Sequence, residues 1–217
     1  MKKINWPDHL INFLVVIVGI TVAFQLGNWK ELRKQHQVEK QYAESFLRDL
    51  KKDVAQLDSL HHYDSIQFNA LVKIFRLKNN SEPFDSLDYA LNQLGQFNNF
   101  SSYNATYESL KASGKFEEMW DLETRIAILD NYITTYKNMK DIETYLQKNF
   151  DTNVLPYFID EMIFKNVDRR QEQVLEPHFK NILALHLSFL QQKITATNDL
   201  RLSTQRLEER FEKLTEK

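Results

Sequence analysis

The sequence predicts an all-α protein, in which an N-terminal transmembrane helix continues into an up-down bundle of long helices. Three observations predict it. The run LINFLVVIVGITVAFQL (residues 10–26) is apolar over about 17 residues, the short end of what crosses a bilayer as a helix. Beyond it, apolar side chains recur at three- and four-residue intervals to the C-terminus. Only four glycines and four prolines punctuate the 217 residues, too few for the turns of a β-sandwich.

The elements follow in order. Residues 1–9 form a short N-terminal tail and residues 10–29 the transmembrane anchor. Trp6 and Trp29 bracket the apolar run; at 1.5 Å per residue they stand roughly 35 Å apart, the separation of two interfacial belts. Pro7 suits the first turn of a helix, where a missing donor costs nothing. Past the membrane, Ala43, Phe46, Leu47, Leu50, Val54, Leu57, Phe68, Leu71 and Phe75 keep the helical period, so one helix is expected from Pro7 to about Lys78. The string NNSEP (residues 79–83) reads as a loop.

Two short helices are expected within 86–114. Asp85 caps the first, which stops near Gly95. Asn104 or Ser102 starts the second, which ends at Gly114. Asp121 opens a longer helix with the stripe Leu122, Ile126, Leu129, Ile133, Tyr136, Met139, Leu146 and Phe150. Pro156 is expected to break or kink it. A mixed stretch, a short helix with a polar link, leads to Pro177. The last helix runs about 40 residues, roughly 60 Å, on Phe179, Ile182, Leu183, Phe189, Leu190, Ile194, Leu200, Leu207, Phe211 and Leu214. Residues 30–217 thus make one helical bundle domain. These lengths predict a first helix rising from the membrane, short helices descending, a third limb rising and the last returning.

Bulk composition removes whole classes of function. The formal net charge is -2, which gives no footprint for general nucleic-acid binding. The absence of cysteine excludes disulfides, thiol chemistry and thiolate metal sites. A cleaved signal peptide is the rival reading of residues 1–28, with Lys2 and Lys3 as its basic start and Thr21 and Ala23 as a weak cleavage site. The continuation through Gln25, Gly27, Asn28 and Trp29 reads instead as an interfacial ending, so an uncut anchor is expected. Basic residues on the two flanks nearly cancel. A short N-terminal tail that stays inside would export the domain; a cytoplasmic domain is the alternative.

The span carries a face. Gly19, Ala23 and Gly27 fall four residues apart on one stripe, with Asn12 on the same side. Small residues at this spacing admit a second helix closely, and Asn12 can hydrogen-bond across the contact. Glycine is also simply common in spans. No ionisable residue lies within residues 10–26, so a proton or ion pathway has no support there.

Two blocks carry a family resemblance: VVIVGITVAFQLGNWKE (residues 15–31) and NATYESLKASGKFEEMWDLETR (residues 104–125), followed by Tyr132 and Tyr136. Together they resemble the DUF6090 type, a family of Bacteroidetes membrane proteins in which a span ending in an "ALQ-NNW-E"-like string precedes an "ATYEELKSSGKL" core. Gly27 stands here where that family often has Asn. The resemblance implies the architecture and a bacterial membrane location, and it carries no activity; the inner membrane is the expected location. In the second block, Tyr107, Leu110, Lys111 and Gly114 read either as a structural corner or as a surface for a partner or ligand. Gly114 suits a left-handed cap, and Lys111 and Lys115 complement the helix end.

Candidate chemistry is sparse. Asp58, His61 and His62 share a helix face and are weighed as metal ligands, but His61 falls on the apolar stripe and only three candidates occur locally. His178 and His186 lie eight residues apart without a partner in sequence. The pairs Asp160-Glu161 and Glu208-Glu209 point apart on their helices and read as solvated faces. There is no nucleophile elbow, P-loop, zinc-protease or dinucleotide motif. No catalytic, metal or cofactor site is expected, and neither is a nucleic-acid partner. The expected partners are membrane lipid and either a second copy of the chain or another integral membrane protein. The expected role is a non-enzymatic interaction or accessory subunit of an envelope complex; a ligand-sensing bundle that signals through a membrane partner is the alternative.

Overall fold

The computed structural model describes residues 6–78 and 84–216, with the side chains of residues 6–12, 84, 85 and 167 outside the described set. The roles expected of Trp6, Asn12 and the Asp85 cap, and the loop at 79–83, therefore lie outside the described residues. Helix α1 (Trp6–Arg76) is a single element of 71 residues, on the order of 105 Å long. Every described side chain from residue 13 to 37 is exposed. Beyond that the helix enters the bundle, burying Ala43, Phe46, Leu50, Leu57, Leu60, Leu71 and Ile74. Phe75, expected on the stripe, is exposed and Ile74 takes the core position; a one-residue step turns a helical side chain by about 100°. Lys180 closes the far end of α1, donating to the carbonyls of Ile74, Phe75 and Leu77.

Helix α2 (Phe84–Gln93) starts two residues before its expected position. Its Leu87, Ala90 and Leu91, with Leu94 just beyond, pack on Ala70, Leu71 and Ile74. The chain then descends as a non-helical strap to α3 (Ala105–Ala112). The strap exposes backbone groups that no ladder satisfies, and side chains from three helices, all but Lys140 buried, satisfy them instead. The Gln67 amide donates to the carbonyls of Gln93 and Gln96, at 2.6 and 3.0 Å. Lys193 donates to the Asn98 carbonyl. Glu143 accepts from the Phe100 amide at 2.7 Å, and Lys140 donates to the Phe100 carbonyl. Asp53 accepts from Ser102 Oγ and the Tyr103 amide, both at 2.7 Å. Asn104 precedes α3 but makes no side-chain cap; Asp49 of α1 accepts from the Thr106 amide and hydroxyl in its place.

The third limb is continuous over residues 122–160. It comprises α4 (Leu122–Leu129), a wide π segment (Asp130–Thr135), α5 (Tyr136–Asn149), a second π segment (Phe150–Val154) and α6 (Leu155–Asp160). Asp121 caps its start as expected, accepting from the Thr124 amide at 2.7 Å. Pro156 neither breaks it nor ends it. The preceding π turn carries the Leu155 amide back to the Phe150 carbonyl, and Pro156 enters at the first turn of α6, where its missing donor is tolerated. The expected stripe is also corrected: Leu122, Ile126 and Ile133 are exposed. The face in the bundle is Thr124, Ile128, Asn131, Tyr132, Met139, Glu143, Leu146, Asn149 and Val154. Four of these nine are polar, so hydrophobicity alone selected the wrong face of α4.

A link through residues 161–166 follows, gathered by Gln173, which accepts from the Ile163 amide and donates to the Glu161 carbonyl. Then come α7 (Val167–Gln173) and the 39-residue α8 (Pro177–Thr215), which returns along α1. Three apolar clusters stack along the bundle. Ala43, Phe46, Tyr107, Ile128, Tyr132, Leu207 and Phe211 pack nearest the exposed N-terminal half of α1. Leu57, Leu60, Phe100, Met139 and Leu200 fill the middle, and Leu71, Leu94, Leu146, Tyr157 and Phe179 the far end. The ascending and descending order is the one the helix lengths predict.

Candidate functional site

Among the described residues, two helix faces present runs of exposed apolar side chains at helical spacing. The first is the N-terminal half of α1. Gly19 and Gly27 are ordinary helical residues there, and a Cβ built on either meets nothing within 4 Å. Nothing in the chain's own packing requires glycine at these positions, although helix-interior glycine costs about 1 kcal/mol against alanine. Thr21 turns its hydroxyl back to the Ile17 carbonyl at 2.8 Å. Trp29 is exposed, with the Arg33 guanidinium 5.7 Å from its ring centre. Among the described residues this is the one helix long and apolar enough to cross a membrane.

The second face is the outer side of the third limb. Leu122, Ile126 and Ile133 are 64%, 54% and 49% exposed, and Leu129 lies partly covered among them. Their spacing of four, three and four residues is the seam of a helix that packs on another helix. Polar groups flank it: Arg210 bridges to Glu123, and Arg125 reaches Glu117.

The corner formed by the second sequence block is mostly internal. Tyr107 and Leu110 are buried, so they form no contact surface. Tyr107 stacks on Tyr132 at 5.0 Å and meets Phe116 edge-on at 6.1 Å. Gly114 takes φ +69°, the left-handed cap its residue type suits. Lys111 is exposed and lies over the Tyr107 ring. Trp120 also has positive φ, 52°, and packs edge-on against Phe46 and Phe211, which stack on each other at 4.9 Å.

The weighed histidines scatter. His61 is half-buried rather than in the core, His62 lies against Tyr63, and Asp58 faces Arg201 at 3.4 Å. His178 sits on the surface 3.4 Å from Glu161. Among the described residues, no group of three or more His, Asp or Glu stands as a metal set. His186 is fully buried; its Nδ1 lies 3.5 Å from the Asn149 amide and its Nε2 has no partner. Burial holds it down to a pKa of about 4. Burial raises Asp53, against the pull of the Tyr103 and Ser102 hydrogen bonds. Burial also raises Asp64, against the opposing charge of Lys193. Asp121 is held low by the Thr124 amide. The polar clasp of the strap was not found from sequence. Its one signal was register: His186, Lys193, Thr197 and Thr204 interrupt the apolar stripe of α8 at buried positions.

These features define a class, an all-α bundle built on one long helix whose exposed, apolar N-terminal half is of membrane-crossing length. The chain belongs to DUF6090, a family of unknown function, which matches residues 12–155 and so contains both sequence blocks and all of the strap. No curated protein and no solved structure matches it.

Proposed function

We propose that the protein acts by contact rather than by catalysis, as a membrane-anchored interaction subunit. In this reading residues 10–29 span a bacterial inner membrane and the bundle stands on its periplasmic side. The observation that carries it is the exposed apolar seam of Leu122, Ile126 and Ile133 on a limb whose opposite side is packed. Contiguous exposed apolar seams of this kind mark protein–protein contact. The small-residue stripe of Gly19, Ala23 and Gly27 supports a helix partner within the bilayer as well. Because α1 passes from span to core without interruption, any contact made in the membrane is joined rigidly to the bundle.

The test is to purify the full chain in mild detergent, weigh the particle and identify every chain by mass spectrometry. A homo-oligomer or a reproducible integral-membrane partner is expected, and Ile126→Ser with Ile133→Ser is expected to release it. A strictly monomeric particle overturns the proposal. Protease accessibility in intact and opened cells tests the side of the membrane, with a cytoplasmic bundle as the contrary result.

A further inference from the structure

Between α1 and the corner that joins α3 to α4 lies a cleft of about 200 Å³. Glu31, Lys34 and Val38 line it from α1; Lys115, Glu118 and Met119 line it from the corner. Among the described residues, the exposed side chains of Glu31, Lys34, Lys115 and Glu118 themselves make no hydrogen bond and no ion pair. Two cations and three carboxylates thus line one small space, and of these only Glu39 is paired, with His36. Opposite charges left apart around a cleft match a ligand that itself carries both signs.

Its height along α1 says where that ligand comes from. Glu31 stands two residues past Trp29, about 3 Å along the axis, and Lys34 about 7.5 Å. Tryptophan belts sit at headgroup level, and the headgroup layer is about 5–8 Å deep on each side. The lower lip of the cleft therefore opens within that layer. The corner is fixed in place, since Gly114 turns the chain and Tyr107, Leu110 and Met119 are buried beside it.

We propose that this cleft holds the headgroup of a zwitterionic phospholipid bearing a primary ammonium, its phosphate between Lys34 and Lys115 and its ammonium toward Glu31 and Glu118. An anionic headgroup meets the two glutamates with nothing to offer them, and Glu39 adds a third carboxylate to the lining. A quaternary ammonium lacks N–H donors and is recognised by aromatic faces, of which the cleft has none. The assignment rests on the reading of residues 10–29 as a span.

Native mass spectrometry of the full chain in mild detergent tests it, with equal amounts of phosphatidylethanolamine, phosphatidylglycerol and phosphatidylcholine of one acyl composition. One phosphatidylethanolamine is expected to be retained at least about tenfold over the others, a preference lost in Lys34→Gln with Lys115→Gln. Glu31→Gln with Glu118→Gln is expected to shift the preference to phosphatidylglycerol. Equal retention of the three lipids, a wild-type preference for phosphatidylglycerol, or charge variants that retain lipid like the wild type overturn the assignment. Phosphorylethanolamine that competes as well as the whole lipid overturns the membrane as its source. An alkaline carbonate wash separates the two readings: release of the chain defeats the span itself, whereas firm retention without lipid preference defeats only the cleft.

Discussion

Lys193 Nζ stands 3.0 Å from Asp64 Oδ1, with both side chains closed to solvent, and the same ammonium donates to the Asn98 carbonyl of the strap. One ion pair thus joins α1, α8 and the descending segment. Removing only the cation strands a buried carboxylate and an unpaired carbonyl. Lys193→Met is expected to lose about 3–5 kcal/mol in urea unfolding. Asp64 is already raised by burial, so it takes up a proton when Lys193 is gone, and the loss is expected to shrink as pH falls. Lys193→Met combined with Asp64→Leu is expected to lose less than the sum of the single changes; strict additivity counts against the pair acting as a unit.

His186 gives the bundle an acid-sensitive position. Its folded pKa is about 4 against an ordinary 6.5. The unfolded chain therefore binds the proton first as pH drops. The stability due to the neutral ring is complete above about 6.5, is lost between 6.5 and 4, and levels off below, amounting to about 3 kcal/mol. Asp53 and Asp64 act in the opposite sense: both are raised, so their protonation favours the fold as pH falls. The difference in thermal midpoint between wild type and His186→Leu across pH 7 to 4.5 isolates the histidine. Parallel curves would remove it as the origin of acid sensitivity.

Gly114 and Trp120 hold the corner by different means. Both have positive φ, but space around Gly114 is open whereas Trp120 packs edge-on against the stacked pair Phe46 and Phe211, at 5.6 and 5.0 Å. Gly114→Ala is expected to cost about 1–2 kcal/mol through the backbone alone. Trp120→Gly relaxes its backbone and is still expected to be the worse of the two, by about 3 kcal/mol or more, because the aromatic contact is lost. Chemical unfolding of the two variants side by side checks the order.

The parts of the fold written in local chemistry were legible. Helical period and scarcity of breakers placed α1 to within two residues of its observed ends. Asp121 and Gly114 act at the ends where their side-chain and backbone preferences put them. What stayed hidden depends on residues distant in sequence. The N-terminus of α3 is capped by Asp49, 57 positions away from Thr106, so no local signal named it. The strap's partners, Asp53, Gln67, Glu143 and Lys193, look like ordinary surface residues until three helices bring them together. The π turn that carries the chain into Pro156 leaves no mark in apolar spacing, and such turns re-aim every side chain beyond them.

Ile126 and Ile128 stand two residues apart on α4, and their contrast separates folding from contact. Ile128 is fully buried against the cluster around Phe46 and Tyr132, whereas Ile126 is mostly exposed. Ile128→Ala is expected to lose about 2–5 kcal/mol through lost burial and the cavity left behind. Ile126→Ser is expected to stay within about 0.5 kcal/mol of wild type when the chain is diluted to monomer in detergent. At concentrations where the particle associates, the same Ile126→Ser change is expected to lower the midpoint, because a covering partner stabilises the folded state by mass action. A midpoint independent of concentration in both proteins would leave the Leu122–Ile126–Ile133 seam without a partner and return the burden of association to the stripe of Gly19, Ala23 and Gly27.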